Sequence, residues 1–247
     1  MGLKAVIGGL FAGLLAMPAQ AEQFSGFYVG ILGGYSWQNS TSPIVQGAGL
    51  AMAGYYPSQL EIGAKGGSIG AMLGYGATVD NWYSGLEADF SFSFAKASDS
   101  HVQKGIILLP NAPQPGIYDG FTIDGSNNVN WYSTVRGRFG WTPFSNSLLY
   151  GTAGVVFVDY DTQVSLALET WQRQDTFRRR GPRVGAVFGG GLEYALLNRW
   201  RVRAEYLYIH SEAFEAAVFQ NWRWFAKNSY QMEPSFHTAR IAVVYGF

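Results

Sequence analysis

The chain has 247 residues, of which 48% are hydrophobic, 16% aromatic and only 14% charged, whereas an ordinary soluble domain carries about 25% charged residues. It contains 32 glycines, no cysteine and no formal net charge, which excludes collagen-like repeats, disulfide scaffolds, thiolate metal sites, thiol catalysis and a basic nucleic-acid binder. Tryptophan, tyrosine and phenylalanine occur throughout, so extended disorder is excluded as well, and the apolar content has to face either a core or lipid.

In chain order, Met1 to Ala21 reads first, as a secretory signal. Lys4 is its only charge, an apolar run extends from Ala5 to Met17, and Pro18-Ala19-Gln20-Ala21 offers a small-x-small cleavage pattern after Ala21. The run is short for a bilayer span of about 20 residues and is broken by Gly8, Gly9 and Gly13. No later stretch approaches the length of a transmembrane helix. Residues 22–247 are therefore expected to form one domain that buries or embeds strands.

Eight segments with period-two alternation follow: Gly26–Gln38, Gly67–Val79, Trp82–Phe94, Asn130–Trp141, Leu148–Asp161, Arg183–Ala195, Arg199–His210 and Ser235–Phe247. The connections between them are alternately long (Asn39–Gly66, Ala95–Val129, Thr162–Pro182 and Ser211–Pro234) and short, as at Asp80-Asn81 and Leu196-Leu197-Asn198. Asp80-Asn81 suits a two-residue hairpin, and Asn198 suits a left-handed position in a three-residue turn. An even strand number with short turns on one rim and long loops on the other is the plan of a bacterial outer-membrane barrel.

The faces of the segments test this plan. In the first, Phe27, Val29, Ile31, Tyr35 and Trp37 share one face, opposite Tyr28, Gly30, Gly34, Ser36 and Gln38. The third sets Trp82, Leu86, Ala88, Phe90, Phe92 and Phe94 against Tyr83, Gly85, Glu87, Asp89, Ser91 and Ser93. From Phe27 to Trp37 the rise is about 33 Å, which a tilt of about 40° reduces to about 25 Å, the height of an apolar band between two aromatic girdles. A soluble barrel would place its apolar face inside. Here the charged face is narrow and rich in glycine, as the side-chain-filled lumen of eight strands requires. The expected fold is all-β: an eight-stranded antiparallel up-and-down transmembrane β-barrel with short periplasmic turns and long extracellular loops. In the fifth segment the facing stays open, because Leu148, Tyr150, Val156 and Val158 compete with Leu149, Ala153, Val155 and Phe157.

The inward face of the fourth segment carries Arg136 and Arg138. Parity allows Glu87 to sit opposite Arg138 and Asp89 opposite Arg136, with Gly74 and Met72 on the second segment leaving room for long side chains. The sixth and seventh segments repeat the device: the three-residue turn places Glu193 opposite Arg201, with Arg203, Glu205 and Arg240 nearby. Paired charges of this kind plug a narrow lumen, whereas isolated ones would be costly.

The last segment presents Ala239, Ile241, Val243, Tyr245 and Phe247 on one face, which looks like the C-terminal signal read by the outer-membrane assembly machinery. The motifs Gly26-Phe27-Tyr28-Val29-Gly30, Gly34-Tyr35-Ser36-Trp37, Thr134-Val135-Arg136-Gly137-Arg138-Phe139-Gly140-Trp141-Thr142-Pro143, Leu149-Tyr150-Gly151-Thr152-Ala153-Gly154, Gly189-Gly190-Gly191-Leu192-Glu193-Tyr194 and Arg203-Ala204-Glu205-Tyr206-Leu207-Tyr208 run through the chain in order. With them the sequence resembles the small outer-membrane β-barrel family of Gram-negative surface proteins, the porin-like and opacity-type relatives of the outer membrane protein A barrel. The resemblance implies residence in the outer membrane and a role in envelope integrity and surface interaction, with at most a narrow or closed pore. It implies neither enzymatic activity nor a cofactor. Adhesin-type and haem-binding roles among relatives stand as an alternative. With the aromatic end at Phe247, no appended periplasmic domain and no direct wall anchoring are expected.

Two constellations remain. Pairing symmetric about the fourth loop sets Ser235 beside His210 and His237 beside Tyr208, with Glu212 one step beyond. A Ser/His/Glu cluster at the outer leaflet is what a lipid A-modifying deacylase needs, with imidazole activating the hydroxyl and the acid orienting it. The order departs from the barrel deacylase pattern, because Ser235 precedes His237 by two residues instead of following it. The third loop carries Arg178, Arg179, Arg180 and Arg183, and the fourth carries Trp222, Arg223, Trp224, Phe225 and Lys227. Guanidinium forks and interfacial tryptophans point to lipopolysaccharide and outer-membrane lipids as partners, and a host or haem ligand at the loops, with His101 or His210, is the alternative. Phe214, Val218, Trp222 and Phe225 fit a short helical stripe. No Walker loop, zinc spacing or dinucleotide fingerprint is present.

Overall fold

The structure is a computed structural model that describes residues 23–38, 41–45, 59–61, 63–108, 117–168, 173–197, 199–212, 214–218, 228–232 and 235–247. The expected signal segment, Met1 to Ala21, lies outside the described residues. In chain order the strands are β1 (Gly26–Trp37), β2 (Thr41–Val45), β3 (Gln59–Glu61), β4 (Lys65–Val79), β5 (Trp82–Leu108), β6 (Ile117–Phe144), β7 (Ser147–Leu168), β8 (Arg173–Leu197), β9 (Trp200–Ser211), β10 (Phe214–Val218), β11 (Asn228–Met232) and β12 (Ser235–Gly246). Eight of them close an antiparallel up-and-down barrel in the order β1-β12-β9-β8-β7-β6-β5-β4, and β10-β11-β2-β3 form a small separate sheet. Closure leaves no strand edge in lipid, where each unsatisfied backbone group would cost several kcal/mol.

Alternation decides which residues meet lipid. On β1, Ile31 is 69% exposed and its neighbour Leu32 only 3%. The outward row of β5, with Trp82, Leu86, Phe90, Phe92 and Phe94, is exposed, while Tyr83, Glu87, Asp89, Ser91 and Ser93 are buried in the lumen. Near the short turns, Trp82 stacks on Phe139 at 5.4 Å and Trp200 packs edge-on against Tyr245 at 5.0 Å, part of an aromatic girdle. The facing left open by the sequence is resolved on β7: Leu148, Tyr150, Val156 and Val158 are buried inside, whereas Leu149, Val155 and Phe157 are exposed. At the Asp80-Asn81 hairpin, Asp80 adopts φ 55°, a conformation that Asp tolerates better than most side chains. Asn198 is not among the described residues.

Four expectations are corrected. Strands β5 to β8 run well past the apolar band, so much of what read as the second and third long loops is paired strand. Many of its rungs are polar, among them Ser98↔Ser126, Asn127↔Thr162 and Asp161↔Arg180, and apolar ones such as Ile123↔Leu166 are interspersed. Both faces of this extension are outside lipid, so the apolar alternation that marks a membrane strand has no reason to persist. The register between β5 and β6 is Glu87↔Arg136 and Asp89↔Thr134, with Gly85 opposite Arg138; the long loop does not constrain it, and parity allows any two-residue slide. Glu193 faces Arg203, not Arg201, because the turn closes at Leu197↔Trp200, further along the chain than expected, with a register irregularity between Ala195 and Leu197. Finally, Phe214 to Val218 is strand β10, hydrogen-bonded to β11, not a turn of helix. The remainder of that stripe lies outside the described residues.

Candidate functional site: the filled lumen and the extracellular rim

Five arginines and four acids from β5, β6, β8, β9 and β12 converge in the lumen, all of them buried. Arg136 bridges Glu87 at 2.6 Å, Asp89 at 2.8 Å and Glu205 at 3.0 Å. Arg138 and Arg203 both reach Glu193 Oε2 at 2.8 Å, and Arg203 also pairs with Glu87. Arg240 is shared between Asp89 and Glu205. Arg201 approaches Glu193 at 3.0 Å, but off the hydrogen-bonding direction, which leaves its guanidinium nitrogens without a hydrogen-bond acceptor among the described residues.

Sequence reasoning passed over the tyrosines that complete this network. Tyr28 donates to Glu87 at 2.7 Å, and Tyr150 donates to Glu205 at 2.8 Å. Arg138 donates to the Tyr28 and Tyr83 hydroxyls and lies 3.8 Å from the Tyr150 ring centroid. The signal was available: all three tyrosines share the parity of the charges, and the adjacent strands hold glycines there. A Cβ at Gly74 would collide with the Tyr28 ring, and one at Gly191 with Tyr150. Desolvated charges in this number are tolerable because nearly every one has several partners.

Toward the long loops the lumen changes character. Tyr132, Val156, Val158, Val187, Leu207, Ile209 and Phe236 are all buried and form one apolar cluster. Their inward parity hides them in the sequence, where a valine on a barrel strand reads as lipid-facing. The charge network and this cluster lie at successive levels of the lumen.

On the outer face at the same end, Ser235 pairs with His210 and His237 with Tyr208 in the β9–β12 ladder. His237 Nδ1 lies 2.6 Å from the Tyr206 hydroxyl, and its ring stacks on Trp37 at 5.7 Å. Glu212 lines a separate cavity beside Arg179, Arg180 and Arg183. Among the described residues these hydrogen bonds do not join Ser235, His210, His237 and Glu212 into a relay. Arg178 is held in a two-pronged bond to Asp161 at 2.7 and 3.0 Å. Trp222, Arg223, Trp224, Phe225 and Lys227 lie outside the described residues, as does the side chain of His101. Ala239, Ile241, Val243 and Phe247 are exposed on the outer face of β12, and Tyr245 is half-buried among its aromatic neighbours.

A family model described as the outer membrane protein beta-barrel domain matches residues 7–247. The chain is 26% identical over 241 residues to the 31 kDa outer-membrane immunogenic proteins of Brucella melitensis biotype 1 and Brucella suis biovar 1, covering 94% of this chain and 87% of each relative. Among solved structures, the outer membrane protein OprG of Pseudomonas aeruginosa superposes with a TM-score of 0.51 at 14% identity, covering 93% of this chain and 100% of that one, a likeness of fold. With its closed eight-stranded ring, outward aromatic girdle and filled lumen, the chain belongs to the outer membrane protein β-barrel family and resides in the Gram-negative outer membrane.

Proposed function

We propose that the protein is a closed, non-enzymatic surface barrel that serves envelope integrity and presents its extracellular strands and loops for contact. The feature that supports this reading is the lumen, in which an ion-pair network and a cluster of buried apolar side chains occupy successive levels. The immunogenic character named for the Brucella relatives supports exposure of the long segments at the cell surface. The rim arginines Arg178, Arg179, Arg180 and Arg183, together with Trp222, Arg223, Trp224 and Lys227 of the fourth loop, are the residues through which lipopolysaccharide would be met, since guanidinium forks bind phosphate and tryptophan favours the interface. Residues Ala239, Ile241, Val243, Tyr245 and Phe247 supply the outward row offered to the assembly machinery. The test is single-channel recording on the refolded protein in planar bilayers. A silent bilayer with the protein demonstrably inserted is the expected result, and sustained open-channel steps would overturn the closed-barrel reading.

A further inference from the structure

A groove of about 680 Å³, almost wholly apolar in its lining, crosses the lipid-facing wall from β9 over β12, β1, β4 and β5 to β6. We infer that this groove holds one phospholipid of the leaflet facing the periplasm, with an acyl chain along its floor and the phosphate at Arg199. The inference does not depend on whether the lumen conducts.

The course of the groove follows the ladder. Trp200, Tyr245, Val29, Leu73 and Ala88 are successive cross-strand partners in one row. Val243, Ile31, Ala71, Phe90 and Ser133 form the next row. The path climbs as it goes, because Trp200 is the first residue of β9 after a short turn, whereas Leu73 and Ala88 lie well inside β4 and β5. Five interstrand steps of about 4.8 Å give about 24 Å, and strands tilted by about 40° incline the row equally to the membrane plane. The rise is then about 15 Å, half of a hydrocarbon core about 30 Å thick. The groove therefore spans one leaflet, from the aromatic girdle to the midplane, which is the reach of one acyl chain.

Side-chain size makes the hollow. Ala71 and Ala88 stand diagonally across the β4–β5 ladder, among the bulkier Ile31, Leu73 and Phe90, all exposed. At the upper end Ser133 adds little bulk, and its hydroxyl donates to the Asp89 carbonyl at 2.8 Å, so no polar hydrogen is offered to lipid. The walls are held in place: Phe90 stacks on Trp131 at 5.6 Å and meets Phe92 edge-on at 4.9 Å, and Trp200 packs against Tyr245. A preformed groove costs little ordering when it is filled. The lower end supplies the charge. Arg199 is exposed in the turn just before Trp200, and its carbonyl accepts from Gly246 N at 2.9 Å, which ties that turn to the end of β12. Among the described residues it is the one basic side chain outside the lumen on the rim of short turns, and it has no ion pair there. Asp80, the acidic side chain of that rim, belongs to the β4–β5 turn, and the groove meets β4 and β5 only at its upper end. A guanidinium at the headgroup level beside an interfacial tryptophan suits a lipid phosphate.

The experiment is native mass spectrometry of the refolded full chain released from detergent, after titration with dioleoyl phosphatidylglycerol or dioleoyl phosphatidylcholine. One lipid per barrel should persist at collision energies that strip the rest. Phosphatidylglycerol should be kept in preference, because the quaternary ammonium of phosphatidylcholine is a like charge to Arg199. Ala71→Leu with Ala88→Leu should lower that occupancy at least about tenfold, the worth of about two buried methylene groups. Ala153→Leu, the same addition on the outward face of β7 away from the groove, should leave it unchanged. Arg199→Gln should keep the single lipid and lose the preference between headgroups. A ladder of lipid adducts with no favoured first step, or equal retention by the groove-filled and unaltered barrels, would overturn the site. A two-barrel species abolished by the groove-filling pair would overturn it too, by assigning the groove to a second copy of the chain. Equal retention of the two lipids by the unaltered protein would overturn the part given to Arg199. Heat-modifiable migration on gels checks that each variant is folded.

Discussion

Arg136 is the side chain on which the interior depends most, since it touches Glu87 and Asp89 on β5 and Glu205 on β9 at once. Arg138, by contrast, shares Glu193 with Arg201 and Arg203 and stands 3.5 Å from Glu87. Arg136→Ala is therefore expected to destabilise the refolded barrel by about 3–5 kcal/mol in urea titrations, more than Arg138→Ala, because three buried acids lose a cation together. Adding Glu87→Ala to Arg136→Ala should cost less than the sum of the single changes; additive losses would show that the acids do not rely on this arginine. Outside the membrane the pairing has a different weight. The hydrogen bond from Arg178 holds the Asp161 carboxyl below its usual pKa. A lowered acid adds stability above its unfolded pKa of about 3.9, and that contribution fades as pH falls through the folded value. The pair is exposed, so the effect on stability is small. In Arg178→Ala, the Asp161 titration followed by NMR should move up to the ordinary range with the barrel's melting little changed.

At the level of the strand, facing was legible and register was not. Alternation on the first and third segments identified lipid and lumen sides because lipid tolerates no charge and the lumen no excess bulk. Sliding a strand by two residues preserves every face, however, and Glu87 accordingly stands opposite Arg136 instead of Arg138. Long arginines absorb that slide: Arg138 still reaches Glu193, on a strand two places away, at 2.8 Å. The rungs Ser235↔His210 and His237↔Tyr208 nevertheless follow from symmetry about the fourth long connection, whereas the short turn before β9 left Glu193 opposite Arg203 instead of Arg201. The strand extensions outside the bilayer carried no apolar period and so could not be read. The two faces of β12 separate assembly from stability in the same way. Deleting Phe247 from the outward row is expected to lower the inserted fraction in cells while the purified protein still folds in detergent. Arg240→Leu, on the inner face, should spare insertion and lower the melting temperature, and unchanged cellular levels after loss of Phe247 would refute the role assigned to that row.

Across the whole molecule, the proposed closed state would rest on two levels, the packed charges and the apolar cluster above them. Val156→Ser with Val158→Ser should leave the bilayer silent, because the network below remains packed, and Glu87→Ala with Arg136→Ala should leave it silent because the layer above stays dry. Only the four changes together are expected to admit ion flow in planar bilayers, and conductance from either pair alone would show that there is a single seal. The ring also governs when the fold can form. Its closing rung, Tyr28↔Gly246, joins residues from nearly opposite ends of the sequence, so the last ladder bears the largest loop-closure entropy of any in the barrel. Contacts of such long range make folding slow, and until that ladder zips, β1 and β12 each present an open edge able to pair with another chain. A chain released into the periplasm thus faces a race between cyclisation and aggregation, whose outcome depends on how long a holding chaperone and the insertion machinery keep those two edges apart from others and bring them to each other.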